Sequence, residues 1–184
     1  MSENLKVTKY NDSTEIPRLV SNTEWANSST GAYSIYYTTG LSGITSLQQV
    51  KDAYGLLYNW YACADSKKLC PYGWRMPTNT DWNNLISSVG SNGANSLKSC
   101  RQANSPTGGD CATTTHPYWS SNNNNFGTNS SEFGGLPGGF RLTTGTFFAI
   151  LNQGSWWSLS EQGSNNAWYF SLYYNSDLIG QDAD

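Results

Sequence analysis

The chain has 184 residues, a length typical of one domain that buries roughly two-thirds of its unfolded surface. Charged residues make up only 12% of it and the formal net charge is -3, so the chain has no basic field to hold a phosphate backbone. These values argue against a nucleic-acid partner. Aromatic residues reach 14% in a background rich in Asn, Ser, Thr and Gly, a mixture typical of binding proteins because Tyr and Trp supply rigid contact area.

No apolar run approaches the ~20 residues that a membrane-spanning helix needs. Residues 1–10 also lack the apolar stretch of a signal peptide. We therefore predict a chain that does not insert into a membrane. The composition and the cysteines favour an extracellular or cell-surface location.

Four cysteines allow three complete pairings. Cys63 with Cys70 and Cys100 with Cys111 would each close a short loop, as in many exported proteins. Free thiols or a four-thiolate zinc site are the alternatives, but neither pair has the close spacing of a zinc knuckle. The spacing thus predicts two local disulfides, and no metal ion or cofactor.

In the first half of the chain, alternating β-branched and aromatic residues predict strands over 5–10 and 32–38. Apolar residues at helical spacing predict a first helix over 46–62, although Gly55 weakens its middle.

A second helix is predicted over 79–89, and its limits are marked clearly. The Thr78 side chain is placed to cap the helix, with Asp81 reaching back toward the unpaired backbone amides, and Gly90 ends the apolar stripe.

Two bulky residues precede this helix. We expect Arg75 to form a charge-assisted bond with Asp81 and Trp74 to be a structural anchor, so that Trp74→Ala would cost roughly 3 to 5 kcal/mol of stability.

Beyond Gly90 the chain changes character. Residues 91–132 are dominated by Asn, Ser, Thr and Gly, which predicts a long loop region pinned by a disulfide and a few aromatic residues. After it, a meander of strands is predicted over 138–142, 145–148, 156–160 and 167–174.

Four sequence blocks occur in a specific order: YGLLYNW at 54–60, CPYGWRMPTNTDW at 70–82, LPGGFR at 136–141 and WWS at 156–158. In these blocks the chain resembles the Fibrobacter succinogenes major paralogous domain family. The resemblance implies an α+β protein of C-type lectin-like fold, with two helices, small antiparallel sheets and long loops, in a single domain over 1–184. Family members continue with a strand that ends in a Cys-Val-Arg-like signature. This signature is not found here, so we expect the domain to lack that last strand or to close differently.

Catalysis is not indicated by the sequence. His116 is the single histidine and the only ready base near neutral pH, and a dyad with Cys111 is a weak candidate. No nucleophile elbow, phosphate-binding loop or zinc-protease motif occurs, and the calcium motifs of C-type lectins are absent. Asp177, Asp182 and Asp184 are read as solvated acids. We therefore predict that the protein is not an enzyme.

Residues 142–182 resemble the variable region of diversity-generating retroelement proteins, in which scaffold positions alternate with positions that the family pattern leaves free. The resemblance implies a non-enzymatic ligand-binding protein with a changeable surface and an unknown protein partner. The candidate ligand-binding residues in this region are Phe148, Ile150, Asn152, Leu159, Gln162, Asn165, Phe170, Tyr173 and Asp177.

One of these candidates conflicts with strand geometry. In a regular strand the side chain of Phe170 points to the same side as those of Trp168 and Leu172, two predicted scaffold residues. Its exposure would therefore require a bulge or a strand end.

The alternative function is a carbohydrate-binding or adhesion module of a secreted or surface protein. In that reading the rings of Tyr118, Trp119, Trp156 or Tyr173 would stack on a glycan.

Overall fold

The structure is a computed structural model that describes residues 3–37, 39–164 and 166–184. Its helices are α1 (Asn22–Ala26), α2 (Leu47–Tyr54), α3 (Trp60–Ala64), α4 (Asn79–Val89) and α5 (Ala94–Leu97), with a 3₁₀ turn at Gly109–Cys111. Its strands are β1 (Tyr33–Ser34), β2 (Leu57–Tyr58), β3 (Phe140–Arg141), β4 (Phe147–Phe148), β5 (Gln153–Gln162), β6 (Asn166–Tyr173) and β7 (Gly180–Ala183). All pairings between these strands are antiparallel, and the predicted α+β class is confirmed.

Helix α4 confirms the second predicted helix, including its caps. The Thr78 hydroxyl accepts from the Asp81 amide at 3.3 Å, and the Asp81 carboxylate accepts from the Thr78 amide at 2.8 Å. At the other end Gly90 takes a φ of 81°, which favours glycine, and its amide closes the last turn.

The first helix is shorter than predicted. α2 ends at Gly55, whose φ of 80° leaves the helical region. The backbone also passes close to the N-terminal segment here, since a Cβ on Gly55 would lie 2.6 Å from the Cβ of Asn4. The chain then forms β2 and α3, so a continuous helix over 46–62 is wrong.

The first predicted strand is also wrong. Residues 5–10 make separate contacts in place of a ladder: the Leu56 amide donates to Leu5, and the Tyr58 hydroxyl donates to the Val7 carbonyl. Of the second predicted strand only β1 forms, paired with β2, and its expected end at Thr38 lies outside the described residues.

The largest sheet has the order β5-β6-β7. Helix α4 packs against one face of it, where the ring of Trp82 stacks on Phe170 with centroids 4.8 Å apart. Strand β7 was not predicted from the sequence, and it pairs with β6 from Trp168 to Ser171.

Strand β5 contains a bulge that connects the sheet to the start of α4. Trp157 pairs with Tyr169 and Glu161 with Ala167, so three residues of β5 face one residue of β6. Within this bulge the Leu159 amide donates to the Pro77 carbonyl at 2.8 Å.

The loop region predicted over 91–132 contains the short helix α5, which was not expected there. Beyond α5 the backbone is mostly irregular over 98–139 in the part of the chain that is described. The disulfide between Cys100 and Cys111 closes one of its loops, as predicted. Trp119 is fully buried and donates to the Gly135 carbonyl at 3.0 Å.

Across the described residues, no helix has the length and apolar character needed to span a membrane.

Candidate functional site

Four of the candidate residues lie in or beside the turn that leads into β5, at one end of the large sheet. Phe148 ends β4, Ile150 and Asn152 lie in the turn that follows, and Tyr173 ends β6. Tyr173 pairs with Gln153, and the Tyr174 amide donates to the Asn152 carbonyl at 2.9 Å. We refer to Phe148, Ile150, Asn152 and Tyr173 as the turn face.

The backbone beneath the turn face is strained. Ala149 and Leu151 take φ values of 61° and 69°, a region that non-glycine residues rarely adopt because the Cβ is crowded there. Neighbouring segments hold the strained turn: Leu151 donates to the Pro137 carbonyl at 3.0 Å and accepts from the Ser120 amide at 2.8 Å. Such strain persists only where the surrounding structure enforces it, and it concentrates at functional sites.

The side chains of the turn face differ in exposure. Phe148 is 46% exposed and stacks on Phe140, with ring centroids 6.0 Å apart. Asn152 is exposed, whereas Ile150 is half-buried against the cluster around Val50. The half-buried Tyr173 ring lies against Gly180, where an added Cβ would be 3.0 Å from the ring.

Two other candidates do not join this face. Leu159 is 43% exposed in the β5 bulge, and the exposed Gln162 ends β5 at the far side of the β5–β6 hairpin. Asn165 lies outside the described residues.

Phe170 is wrong as a binding residue. Its side chain is 2% exposed. Strand β6 has no bulge at this point, so the ring points to the side of the sheet that packs on α4, where it stacks on Trp82. Asp177 also has a structural contact: its carboxylate accepts from the Asn95 amide at 2.7 Å, at the start of α5. It is therefore not a free acid on the surface.

The weak catalytic candidate is not supported by the geometry. Cys111 is in a disulfide, and both ring nitrogens of His116 have partners, the Tyr54 hydroxyl and the Ser42 carbonyl. Burial lowers the pKa of His116 below its ordinary value. Among the described residues, no cluster of three or more His, Cys, Asp or Glu side chains is placed to hold a metal ion.

The second predicted disulfide is not formed. Cys63 and Cys70 are free thiols, and Cys63 is buried in a cluster with Tyr10, Ile16 and Leu69, where it packs as a small apolar residue. Burial raises the pKa of Cys63 well above its ordinary value.

Lys98 was missed by sequence reasoning. Its side chain is buried, and the ammonium donates to the carbonyls of Asn125, Tyr173 and Ser176 at 2.6, 2.9 and 2.9 Å. It thus ties the polar loop to the end of β6, at the carbonyl of Tyr173. Nothing in the pattern around Lys98 distinguishes it from a surface lysine.

The turn at 71–74 shows that the prediction of Trp74 as a structural anchor is wrong. The side chains of Tyr72 and Trp74 are 99% and 74% exposed, so Trp74 is not a buried anchor. Arg75 behaves as expected and forms two bonds with the Asp81 carboxylate, of 2.6 and 2.7 Å.

Of the rings proposed to stack on a glycan, Trp119 is excluded because its side chain is buried.

The protein is thus a small α+β protein, and its candidate site is the turn face at one end of the large sheet. Comparison with family models matches the Fibrobacter succinogenes major domain over residues 1–181. The chain belongs to this family. No curated protein and no solved structure matches the chain.

Proposed function

We propose that the protein is a non-enzymatic ligand-binding protein whose turn face contacts a partner protein. We extend the proposal to a C-type lectin-like fold, an extracellular or cell-surface location, and variation of residues 142–182 as in the variable proteins of diversity-generating retroelements. A carbohydrate-binding or adhesion module is the alternative function.

The strained turn at Ala149 and Leu151 carries the proposal. Two non-glycine residues at positive φ cost of order 1 kcal/mol or more each. The Leu151 amide donates to the Pro137 carbonyl and the Leu151 carbonyl accepts from the Ser120 amide, which holds the turn in place. The turn is therefore a rigid segment of backbone from which the side chains of Phe148 and Asn152 extend into solvent. A rigid surface binds well because little conformational entropy is lost when the partner docks.

The shape of the surface also supports binding to a macromolecule. Two clefts of the described residues enclose about 10 and 70 Å³. Pockets for small molecules usually enclose about 300 to 1,000 Å³. A partner that covers an open face, with exposed aromatic side chains as anchors, suits these dimensions better than an enclosed ligand.

In the turn face, the backbone structure does not depend on which side chains are present. Its backbone is fixed by main-chain hydrogen bonds that do not depend on side-chain identity, such as the bond from the Tyr174 amide to the Asn152 carbonyl. Phe148 and Asn152 can therefore change without removing these bonds. This property is required of a surface that varies while its fold is kept.

A displayed library tests the proposal. Phe148, Ile150, Asn152 and Tyr173 would be randomised together and selected against a panel of unrelated proteins. A matched control library would randomise four exposed positions of α4, namely Thr80, Asn83, Asn84 and Ser87. We expect specific binders from the turn-face library, with melting temperatures within a few degrees of the parent. Equal yields from both libraries, or general unfolding of the turn-face library, would contradict the proposed site.

The neighbouring DNA tests the extension to directed variation. We expect a reverse-transcriptase gene and a near-copy of the segment that encodes residues 147–182, differing from it at adenines. A glycan array separates the two functions, since the alternative predicts binding to sugars that is lost when Tyr118, Trp156 or Tyr173 is replaced by Ala.

A further inference from the structure

His116, the single histidine of the chain, connects three segments of the fold. One ring nitrogen bonds the Tyr54 hydroxyl at the end of α2, and the other bonds the Ser42 carbonyl in the turn before α2. The half-buried ring also contacts Tyr118 of its own segment, with ring centroids 4.6 Å apart. These contacts hold residues 115–120 against α2.

The partners of the two ring nitrogens determine which of them carries the proton. A backbone carbonyl only accepts, so the Nε2 atom of His116, 3.1 Å from the Ser42 carbonyl, carries hydrogen. The Nδ1 atom of the neutral ring is then an acceptor, and the Tyr54 hydroxyl donates to it. Burial raises the pKa of Tyr54, so this hydroxyl keeps its proton near neutral pH.

Protonation of His116 conflicts with this arrangement. The imidazolium is a donor at both nitrogens, so its Nδ1–H group would face the hydroxyl proton of Tyr54. That hydroxyl already accepts from the Tyr118 amide at 3.4 Å. If it turned to accept from the imidazolium as well, its own proton would lose its acceptor at a buried residue. The contact between His116 and α2 is therefore weaker when the ring is charged.

No carboxylate bonds the His116 ring among the described residues. Arg101 donates to the backbone carbonyls on either side of His116, at 2.8 and 2.7 Å, so a cation already lies on this segment. The charged residues of α2 are Lys51 and Asp52, and neither bonds the ring; the turn at 40–44 has no charged residue. Burial lowers the pKa of the imidazole, and the backbone bond opposes this only in part.

The segment that His116 holds also supports the strained turn of the turn face. Four positions further on, the Ser120 amide donates to the Leu151 carbonyl at 2.8 Å. Packing provides a second connection, because Tyr54 belongs to the buried cluster against which Ile150 and Leu151 pack. Both connections end at Leu151, whose positive φ persists only while the surrounding structure enforces it.

We propose that protonation of His116 regulates the turn face. The neutral ring holds residues 115–120 against α2 and so fixes Leu151, whereas the imidazolium loosens this segment and the turn that it supports. The change occurs in mild acid, below the ordinary histidine pKa of about 6.5. Its use in binding rests on the function proposed for the turn face, but the loosening itself needs no partner.

Hydrogen exchange followed by NMR tests the coupling in the protein alone. Between about pH 7 and about pH 5 the protection factors of the Ser120 and Leu151 amides should fall about threefold or more, while that of the Leu159 amide in the β5 bulge should change little. His116→Asn is the matched variant, because its side-chain oxygen can still accept from Tyr54 but does not titrate. Its protection factors should be the same at both pH values. An equal loss in this variant, or no loss in the wild type, would overturn the proposal.

Nitrogen NMR of the imidazole gives a second measurement, which a single histidine makes unambiguous. At neutral pH the ring of His116 should be uncharged, with hydrogen on Nε2 and none on Nδ1, and its pKa should lie below that of the unfolded chain. The opposite tautomer would contradict the assigned contacts. Titration of the ring without any change at Ser120 and Leu151 would show that the contact does not reach the turn, and would overturn the regulation.

Binders from the turn-face library test the use of this contact. Their affinity should weaken about threefold or more from about pH 7 to about pH 5, and the same binders carrying His116→Asn should keep it. Equal weakening in both would place the pH dependence elsewhere in the interface and overturn the regulatory use. If exchange responds to pH but the library gives no binders, the coupling stands and the function proposed for the turn face fails.

Discussion

The layer formed by α4 and the large sheet differs from the loop region over 98–139 in what holds it together. In the layer, regular elements satisfy their own backbone groups and apolar side chains fill the space between them, as with Trp82 and Phe170. In the loop region the backbone is irregular, and buried polar side chains complete its hydrogen bonds. Lys98 donates to three carbonyls, and Gln102 exchanges bonds with Asn122 in both directions.

The difference shows where a polar residue belongs inside a protein. Irregular backbone leaves carbonyl groups without donors, and an unpaired buried carbonyl costs about 1 to 3 kcal/mol. A lysine that supplies three donors thus stabilises a loop in which an apolar side chain could not. The turn face lies where the two regions meet, since Tyr173 belongs to the sheet and its carbonyl accepts from Lys98.

The largest effect is expected in the packed layer. Phe170→Ala should lower the free energy of unfolding by about 4 kcal/mol, because it leaves a cavity against Trp82. Urea denaturation measures the change, and Phe148→Ala is the control, with an expected change of about 1 kcal/mol or less at its exposed position. Similar losses for the two variants would mean that the layer is not held by this contact.

Lys98→Met tests the polar loop in the same way. It keeps most of the apolar volume but removes the donors of three buried carbonyls, and should cost about 3 kcal/mol. Lys68→Met, at an exposed position, should cost little. If Lys98→Met were neutral, the loop would not depend on its buried polar contacts.

A titration sharpens the test of Lys98. Burial lowers the pKa of Lys98 to about 8, while in the unfolded chain a lysine has a pKa of about 10.4. Between these values the unfolded chain binds more protons, so the stability of the wild type relative to Lys98→Met should rise as the pH increases from about 8 to 10. A flat difference over this range would contradict the buried environment.

The disulfide contributes to the same loop. Replacing both Cys100 and Cys111 with Ser should lower stability by about 2 to 3 kcal/mol, as expected for a loop that spans 11 positions. Reduced wild-type protein should match the double variant in urea denaturation. No effect of reductant on the wild type would show that the loop is already held by Lys98 and its neighbours.

The smallest effect is expected at the start of α4. The bonds from Arg75 and Thr78 hold the pKa of Asp81 below its ordinary value, so its contribution is present above about pH 4 and is lost as the pH falls below that. Compared with Asp81→Asn, the wild type should therefore lose its advantage in acid. In Arg75→Gln the loss should be smaller and should be complete at a higher pH, since the largest cause of the lowered pKa is removed, and an unchanged profile would contradict the role of Arg75.

The sequence predicted the parts of the molecule that depend on local chemistry. Thr78, Asp81 and Gly90 mark the limits of α4 because caps are local interactions, and the period of two in the last third predicted β5 and β6. The pairing of Cys100 with Cys111 also followed from a short separation. The parity of β6 indicated the burial of Phe170, although the family pattern had placed it among the free positions.

Tertiary structure alone decided the rest. The approach of Asn4 to Gly55 contributes to ending α2, and Lys98 finds carbonyls 27 to 78 positions away along the chain. The strain at Ala149 and Leu151 and the exposure of Trp74 likewise depend on segments that are distant in sequence. Local propensity cannot encode such contacts, because the same residues would be satisfied by water wherever those distant segments were absent.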